Sequence, residues 1–407
     1  MGYIDCDSHV AETEATWEYF DPSEREFRPI MVKGSMPAVG EEADPHKPLK
    51  GGQFSDLWLV HGSWVGVFPA DAVVRDNGNR YDPATIQLTD PSRRIAELDA
   101  LGIDVQLLQT TMFLAVEIEH PLAEAAIKRS WNRWMAERTA DSGGRLVWAA
   151  EVPTGMLDRA FEELDFAKAH GAVGVHLHGV EHGVYIDDPY FRPLLERMQD
   201  LDLTVVGHIG RPMTQSPGLF PIGRQFPTFA SFIEHMASPI AIGWTVLMSD
   251  LHKRYPRLRF CLNEIGASWT HYVEYQLRRI TASAIDFQLR PSDSAAFEER
   301  NIFISCFADE DITALTRLLG ENVLTCGTDY AHNDSSSQLV GHRAISARDD
   351  ISADVAQRIV DVNGRRAFNL DASFRPTDDR PPVSSLPHTR AVRPELAGSL
   401  DVVGIGV

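Results

Sequence analysis

The 407-residue sequence is short of basic residues, of cysteine and of long apolar runs, and each shortage narrows what the protein can be. Lys and Arg number 38 against 58 Asp and Glu, for a formal net charge of −20. A field of that sign repels polyanions, which excludes nucleic acid and anionic membranes as expected partners. It leaves room for an anionic small molecule wherever a cation or a few arginines reverse the field locally. The four cysteines, Cys6, Cys261, Cys306 and Cys326, form no CxxC pair and each lies in or beside an apolar run, so no disulfide framework is expected. No apolar stretch has the length of a bilayer span. The opening MGYIDCDSHV lacks the basic start and apolar stretch of a secretory signal. The expectation is a cytoplasmic protein. No GxGxxG follows the first strand candidate, which weakens a doubly wound dinucleotide-binding sheet.

What is present is an alternation. β-rich runs at Tyr3–His9, Asp104–Thr111, Arg145–Pro153, Gly174–His178, Leu203–His208, Arg257–Glu264, Asn301–Cys306 and Val323–Asp329 are separated by segments of helical spacing. The helical segments include Pro91–Leu101, Ala123–Ser142, Leu157–His170, Tyr190–Asp200, Ser268–Asp286, Glu310–Leu319 and Ile351–Asn369. Eight such units predict an α/β protein, a (β/α)8 TIM barrel spanning residues 1–370 as one domain. Two regions break the pattern. Residues 20–88 are rich in Pro, Gly and Trp and read as an insertion, or lid, after the first strand. Residues 371–407 carry Pro, Ser and Arg without apolar periodicity and read as a C-terminal tail.

Chemistry-bearing residues gather at strand ends. The first strand closes on Asp5-Cys6-Asp7-Ser8-His9, and strand alternation places Asp5, Asp7 and His9 on one face. Other strands end in His176 and His178, in His208, in Glu264 and in Asp329. One polar strand end is explained by helix capping. Five that converge on the mouth of a barrel point to a metal or catalytic centre. His176 is expected to be a satisfied core histidine, one layer below His178. Arg75 with Arg80, and Arg211 with Arg224, lie in expected mouth loops and suit a substrate carboxylate. Trp131, Trp134 and Tyr272 are expected to pack in the core or an interface. Trp58, Trp64 and Phe68 fall in the insertion, where lid packing is the plainer role.

These residues resemble the amidohydrolase superfamily, in the branch that holds the aminocarboxymuconate-semialdehyde and resorcylate decarboxylases. The resemblance covers most of residues 3–369. It rests on Ile4–Val10, RIAELDALGIDVQLLQTT (Arg94–Thr111), Gly171–Gly179, Val205–Gly210, YPRLRFCLNEIGASW (Tyr255–Trp269) and GTDYAHND (Gly327–Asp334). It implies a single divalent cation, Zn or Mn, held by Asp7, His9, His208 and Asp329. It implies His208, Glu264 and Asp329 as catalytic residues, with His178, Arg211, Arg75 and His332 toward the substrate. Two departures stand out. Asp7 replaces the first histidine of the family's His-x-His pair, a harder ligand. Glu264 falls where the decarboxylases place a histidine, and it reads as a base, as a further metal ligand or as a group orienting one.

The function implied is a metal-dependent carboxy-lyase acting on an aromatic or unsaturated carboxylic acid. The alternative is a metal-dependent hydrolase of an amide, lactone or C–C bond, which Glu264 favours. A metal-stabilised scaffold without catalysis is the third possibility. By the same resemblance the chain pairs as a homodimer, and the partner in its site is a small carboxylic acid.

Overall fold

A computed structural model describes residues 2–33, 56–66, 81–114, 116–210, 227–282, 295–332 and 336–374. Its centre is an eight-stranded sheet: β1 (Ile4–Asp5), β2 (Val105–Leu108), β3 (Leu146–Ala150), β4 (Ala172–Leu177), β5 (Thr204–Gly207), β6 (Phe260–Leu262), β7 (Ile302–Ser305) and β8 (Leu324–Thr325). The strands follow chain order and every pairing is parallel. Parallel strands need crossovers, and the helices that supply them cover the outer face. This is why β2, β3 and β5 to β7 are buried along their whole length and read as near-continuous apolar runs. The sheet curls until its edges meet. Cys6 N–H donates to Cys326 O at 3.0 Å, and Ser8 bridges Tyr330 in parallel. The arrangement is consistent with the expected (β/α)8 barrel.

Alternation then sorts the side chains into two cores. Val205 and Phe260 pack outward with the helices. Val206, Cys261, Leu107 and Ala149 turn inward, with Ala367 and Phe368 of the last helix packed against them. Inward-facing positions one step further along each strand emerge at the C-terminal end, and that parity delivers His208 and Glu151 to the centre.

The crossover helices include α1 (Pro91–Leu101), α2 (Pro121–Thr139), α3 (Leu157–Ala169), α4 (Arg192–Asp200), α5 (Pro227–Met248), α6 (Trp269–Ala282) and α7 (Ile312–Leu319). Their ends follow local rules. Asp90 caps α1 by accepting from Ser92 N–H, Pro91 opens the first turn and Gly102 ends it in the left-handed region. Helix α5 is absent from the sequence expectation because Pro239 sits inside it, where a proline ordinarily breaks the pattern. The last helical segment runs Ala353–Gln357, Arg358–Val362 and Asn363–Phe368, with a π turn in the middle.

The described parts of residues 20–88 contain local structure that the sequence pattern did not show. A 3-10 turn spans Pro22–Phe27, three antiparallel strands run Ile30–Lys33, Asp56–Val60 and Ser63–Gly66, and a short helix covers Pro83–Ile86. Trp58 is buried edge-on against Trp17 at 5.9 Å, which is packing. Trp131 and Trp134 are buried as expected, whereas Tyr272 is 67% exposed. All four cysteines are buried and free. Among the described residues no helix is long and apolar enough to cross a membrane.

Candidate metal centre

Six buried side chains converge at the C-terminal end of the curled sheet: Asp7, His9, His208, Glu264, Asp329 and His332. Their donor atoms form two overlapping groups, Asp7–His9–His208–Glu264 and His9–Glu264–Asp329–His332, each with all atoms within 4.8 Å of one another. His208 Nε2 lies 3.0 Å from Glu264 Oε2, 3.2 Å from Asp7 Oδ1 and 3.1 Å from His9 Nε2. His9 Nε2 lies 3.4 Å from Asp7 Oδ1 and 3.5 Å from Asp329 Oδ1. His332 Nδ1 approaches Asp329 Oδ1 at 2.8 Å.

The local backbone explains how one short strand and two strand ends reach the same point. Asp5 pairs with Gln106, but His9 pairs with Gln109, so β1 carries one extra residue between them. That bulge changes the facing of the chain. The expectation that Asp5, Asp7 and His9 share a face is therefore corrected. Asp5 accepts from Gln106 Nε2 (2.7 Å), Gln106 in turn accepts from Arg94 Nε on α1 (2.7 Å), and Thr328 donates to Asp5 through both N–H and Oγ–H. Asp5 thus pins the GTDY segment to β1 from the helix side. Burial pushes its carboxyl up to about 6, against those hydrogen bonds. The glycine of that segment has a steric reason: a Cβ on Gly327 would lie 2.3 Å from Asp7 Cβ. Glu264 and Asp329 both sit at positive φ, 61° and 49°. Carboxylate residues held there mark a place where tertiary contacts override backbone preference.

Tautomers fix what the centre can hold. His9 Nδ1 donates to Thr110 O at 2.7 Å, and His208 Nδ1 donates to Ile209 O at 3.0 Å. A carbonyl only accepts, so each neutral ring presents a bare Nε2 lone pair inward. Two such lone pairs 3.1 Å apart, with carboxylate oxygens around them, repel unless positive charge lies between. Burial works against a charged His208, but Asp7 and Glu264 outweigh it and hold its pKa well above the ordinary value. His9 moves the other way, pushed well down by burial and by His332 and His208. Burial opposes ionisation of Asp7 too, yet His208 and His9 keep it below the usual carboxylate range. The donors fit a divalent cation. Tetrahedral bonds of about 2.1 Å put ligand atoms about 3.4 Å apart, and the first group spans 3.0–3.8 Å along its measured edges.

Supporting contacts orient the ligands. Gln109 Nε2 donates to Asp7 Oδ1 at 2.7 Å. Ser336 Oγ donates to Glu264 Oε1 at 2.9 Å and lies 3.3 Å from Asp329 Oδ2, and Ser337 Oγ donates to Asp329 Oδ2 at 3.0 Å. Glu12 accepts from Thr110 Oγ–H, from the N–H groups of Thr111 and Met112, and from Trp131 Nε1, which holds the loop after β2. None of Gln109, Glu12, Ser336 or Ser337 was singled out from sequence, since nothing local marks them.

The remaining site expectations divide. His176 Nδ1 lies 2.7 Å from Glu151 Oε1, but among the described residues its buried Nε2 has no partner, so it is only half satisfied. His178 lies level with His208, beside Glu181 (Nδ1 to Oε2, 3.7 Å), and belongs to neither donor group. His332 stacks on His9 at 3.9 Å and 17°. Arg75, Arg80, Arg211, Arg224 and Phe68 lie outside the described residues, as does the Trp64 side chain and residues 375–407 of the tail.

Comparison with known proteins follows the same lines. The chain is 22% identical over 331 residues to 2-amino-3-carboxymuconate-6-semialdehyde decarboxylase of Dictyostelium discoideum, covering 76% of this chain and 86% of the relative. Its fold is similar to that of an amidohydrolase from Mycobacterium avium subsp. paratuberculosis K-10, with a TM-score of 0.69, 17% identity, and coverage of 90% of this chain and 99% of the other. It is also similar to a 5-carboxyvanillate decarboxylase of Novosphingobium aromaticivorans complexed with manganese and 4-hydroxy-3-methoxy-5-nitrobenzoic acid. There the TM-score is 0.55 and the identity 19%, over 68% of this chain and 80% of the other. The family model described as Amidohydrolase matches residues 4–370. The chain belongs to the amidohydrolase family and is an enzyme of it.

Proposed function

We propose that the protein is a metal-dependent carboxy-lyase that removes carbon dioxide from an aromatic or unsaturated carboxylic acid. The observation that carries this reading is one buried centre with two parts: a cation-binding tetrad, Asp7, His9, His208 and Glu264, and an acid–base pair, Asp329 and His332, 2.8 Å apart. The decarboxylase relative and the fold-neighbour complexed with manganese and a benzoic acid support it. One ion, Zn or Mn, suits this mixture of imidazole and carboxylate donors.

A bound divalent cation supplies Lewis acidity toward the substrate's carboxylate and its neighbouring oxygen. The chain supplies the rest. Asp329 is fixed by Ser337 and backed by Ser336, and its Oδ1 faces His332 Nδ1. That pair holds one proton beside the cation donors. The bond from carbon to carboxylate breaks, its electron pair stays on carbon, carbon dioxide leaves and the proton from His332 completes the C–H bond. Glu264, steadied by Ser336, balances charge next to His208. Burial of every member keeps bulk water from the pair.

Glu264 also supports a hydrolase reading, since a carboxylate in the centre suits water activation. A panel of aromatic and unsaturated carboxylic acids incubated in deuterated, oxygen-18-labelled water separates the two. Carbon dioxide release with one deuterium on the carbon that lost it is expected. Oxygen-18 in the product without carbon dioxide would establish the hydrolase instead.

A further inference from the structure

Away from the metal centre, one histidine has a carboxylate at each of its ring nitrogens. His182 Nε2 lies 3.3 Å from Glu124 Oε2, and its Nδ1 lies 3.5 Å from Glu117 Oε1. A neutral imidazole carries a single N–H, so one of the two carboxylates would then face a lone pair. Only the imidazolium suits both. We propose that the His182 imidazolium is a positioning group: it clasps the loops that follow β2, β3 and β4, and loss of its proton lets them part and weakens substrate binding. The effect on substrate rests on the carboxy-lyase reading above, whereas the clasp itself does not.

The partners come from three successive loops. His182 and Gly183 turn a hairpin after β4, between Val180–Glu181 and Val184–Tyr185. Both turn residues have positive φ, 50° and 78°, as a two-residue hairpin turn requires. Glu117 lies on the segment between β2 and α2, and it also accepts from the His182 backbone N–H. Glu124 stands in the first turn of α2. It accepts from Lys128 Nζ at 3.0 Å and from the N–H groups of Thr154 and Gly155 at 3.1 Å each, so it carries the turn after β3 with it. Gly155 leaves room for this: a Cβ there would lie 3.0 Å from Glu124 Oε2 and 3.4 Å from His182 Nε2.

The hairpin is joined to the mouth of the barrel. Its Glu181 accepts from the N–H groups of His178 (2.6 Å) and Gly179 (3.2 Å). The His178 ring packs against the chain that leaves β5, where a Cβ on Gly210 would lie 2.6 Å from His178 Cδ2. A hairpin that swings away from Glu117 and Glu124 therefore takes with it one wall of the opening through which a substrate reaches the centre.

Charge sets when the clasp holds. The His182 side chain is 26% exposed, so its proton exchanges directly with solvent. The bond to Glu124 keeps the imidazolium above its ordinary range, helped by Glu117 and opposed by burial and Lys128. Behind Lys128 lies Glu151 at 4.0 Å, and Glu181 and His178 act on Glu117 from the hairpin side. The turn after β3 offers neutral groups, and Tyr190 Oη–H donates to Thr154 O. A raised histidine contributes fully below its unfolded value and loses that contribution as pH climbs through the folded one. Burial raises Glu117, so the clasp also fails in acid once that carboxylate takes up a proton.

Amide hydrogen exchange of the full-length protein with Mn2+ present tests the clasp, read on residues 116–120, 153–156 and 180–186 and corrected for base catalysis. Protection of all three should fall about tenfold from about pH 6 to about pH 9, the scale of a lost hydrogen bond between charged groups. His182→Lys keeps a cation over that span and should hold protection level. His182→Asn, which suits a positive φ, should give the low value throughout, and Glu117→Gln, should that variant not fold, should move the fall to lower pH. Parallel profiles for the native chain and these two variants overturn the proposal. With any panel acid that releases carbon dioxide, the native KM should rise about tenfold over the same span while kcat follows the same course in native and His182→Lys. A KM that rises equally in His182→Lys overturns the effect on substrate. No carbon dioxide from any acid would overturn the carboxy-lyase reading and leave the exchange profiles to decide the clasp.

Discussion

Replacing Gln109 by leucine isolates one outer contact of the metal centre. Gln109 follows β2, is fully buried, and bridges His9 through its backbone. Its Nε2 donates to Asp7 Oδ1 at 2.7 Å, while its Oε1 has no partner among the described residues. The carboxamide is therefore held by a single bond to a ligand carboxylate, and leucine removes that bond at nearly constant volume. A hydrogen bond to a charged acceptor contributes about 1.5–3 kcal/mol. Loss of an outer partner of a metal ligand ordinarily weakens binding about 10–100-fold, or about 1.4–2.7 kcal/mol. The two routes agree, so Gln109→Leu should bind Mn2+ about 10–100-fold more weakly than the native chain, measured by competition with a chelating dye. Unfolding of the metal-free protein should change less, because leucine also removes an unpartnered buried oxygen. Unchanged affinity would show that Asp7 is oriented by its backbone bonds to Thr328 and Asp329 and by His208, and that Gln109 has no part in supporting the ligand.

Two further perturbations probe the buried charges. Burial raises the Glu151 carboxyl from 4.5 to about 8, only partly opposed by Lys128. A carboxyl with a raised folded-state pKa favours folding fully below its unfolded value and loses that contribution as pH climbs toward 8. Glu151→Gln, which still accepts from His176, should flatten the fall in urea midpoint between about pH 5 and pH 8. Parallel curves for the two proteins would count against the burial argument. Removing metal from the loaded centre should lower the melting temperature, since an ion at a hundredfold excess over its Kd contributes about 2.7 kcal/mol. An EDTA scan that matches the Mn2+-saturated scan would mean the donors do not bind the ion in the folded state.

Much of the fold and the site was visible in the sequence for one reason. In a parallel sheet covered on its outer face, the apolar run and the polar residue that ends it are written side by side. Val205-Val206-Gly207-His208 and Leu324-Thr325 leading to Asp329 needed no long-range knowledge, and the structure carries those side chains to one point. Other features depend on partners far away. Helix α5 hides behind Pro239. The antiparallel strands after Pro22–Phe27 pair Ile30 with Leu59, which no local period announces. His332 was expected toward the substrate, and that it also stacks on His9 from the first strand and faces Asp329 depends on the fold. Gln109, Glu12, Ser336 and Ser337 look like ordinary polar residues until the fold brings a carboxylate or a main-chain donor to each.

The misplacement of Asp5 has a deeper cause. Period-two reasoning holds only while the strand is regular, and β1 is regular for two residues. Beyond Asp5 the chain gains a residue against β2, and at the ends of β6 and β8 the backbone turns through positive φ at Glu264 and Asp329. These irregularities occur just where the ligand atoms gather. A perfectly pleated sheet would send alternate carboxylates to the helix layer, as happens to Asp5. A bulge and two left-handed residues turn Asp7, Glu264 and Asp329 inward instead. The strain is held by contacts that span the sheet: Asp329 N–H to Asp7 O at 2.8 Å, Asn263 Nδ2 to Cys6 O at 2.6 Å, and Asp5 on Thr328. Asp5 therefore serves the centre without adding a donor to it, and accepts from the Asp7 N–H at 3.2 Å. Its carboxylate fixes the strand end from which Asp329 departs, and the residue that the alternation rule misplaced is the one that lets its neighbours break the rule.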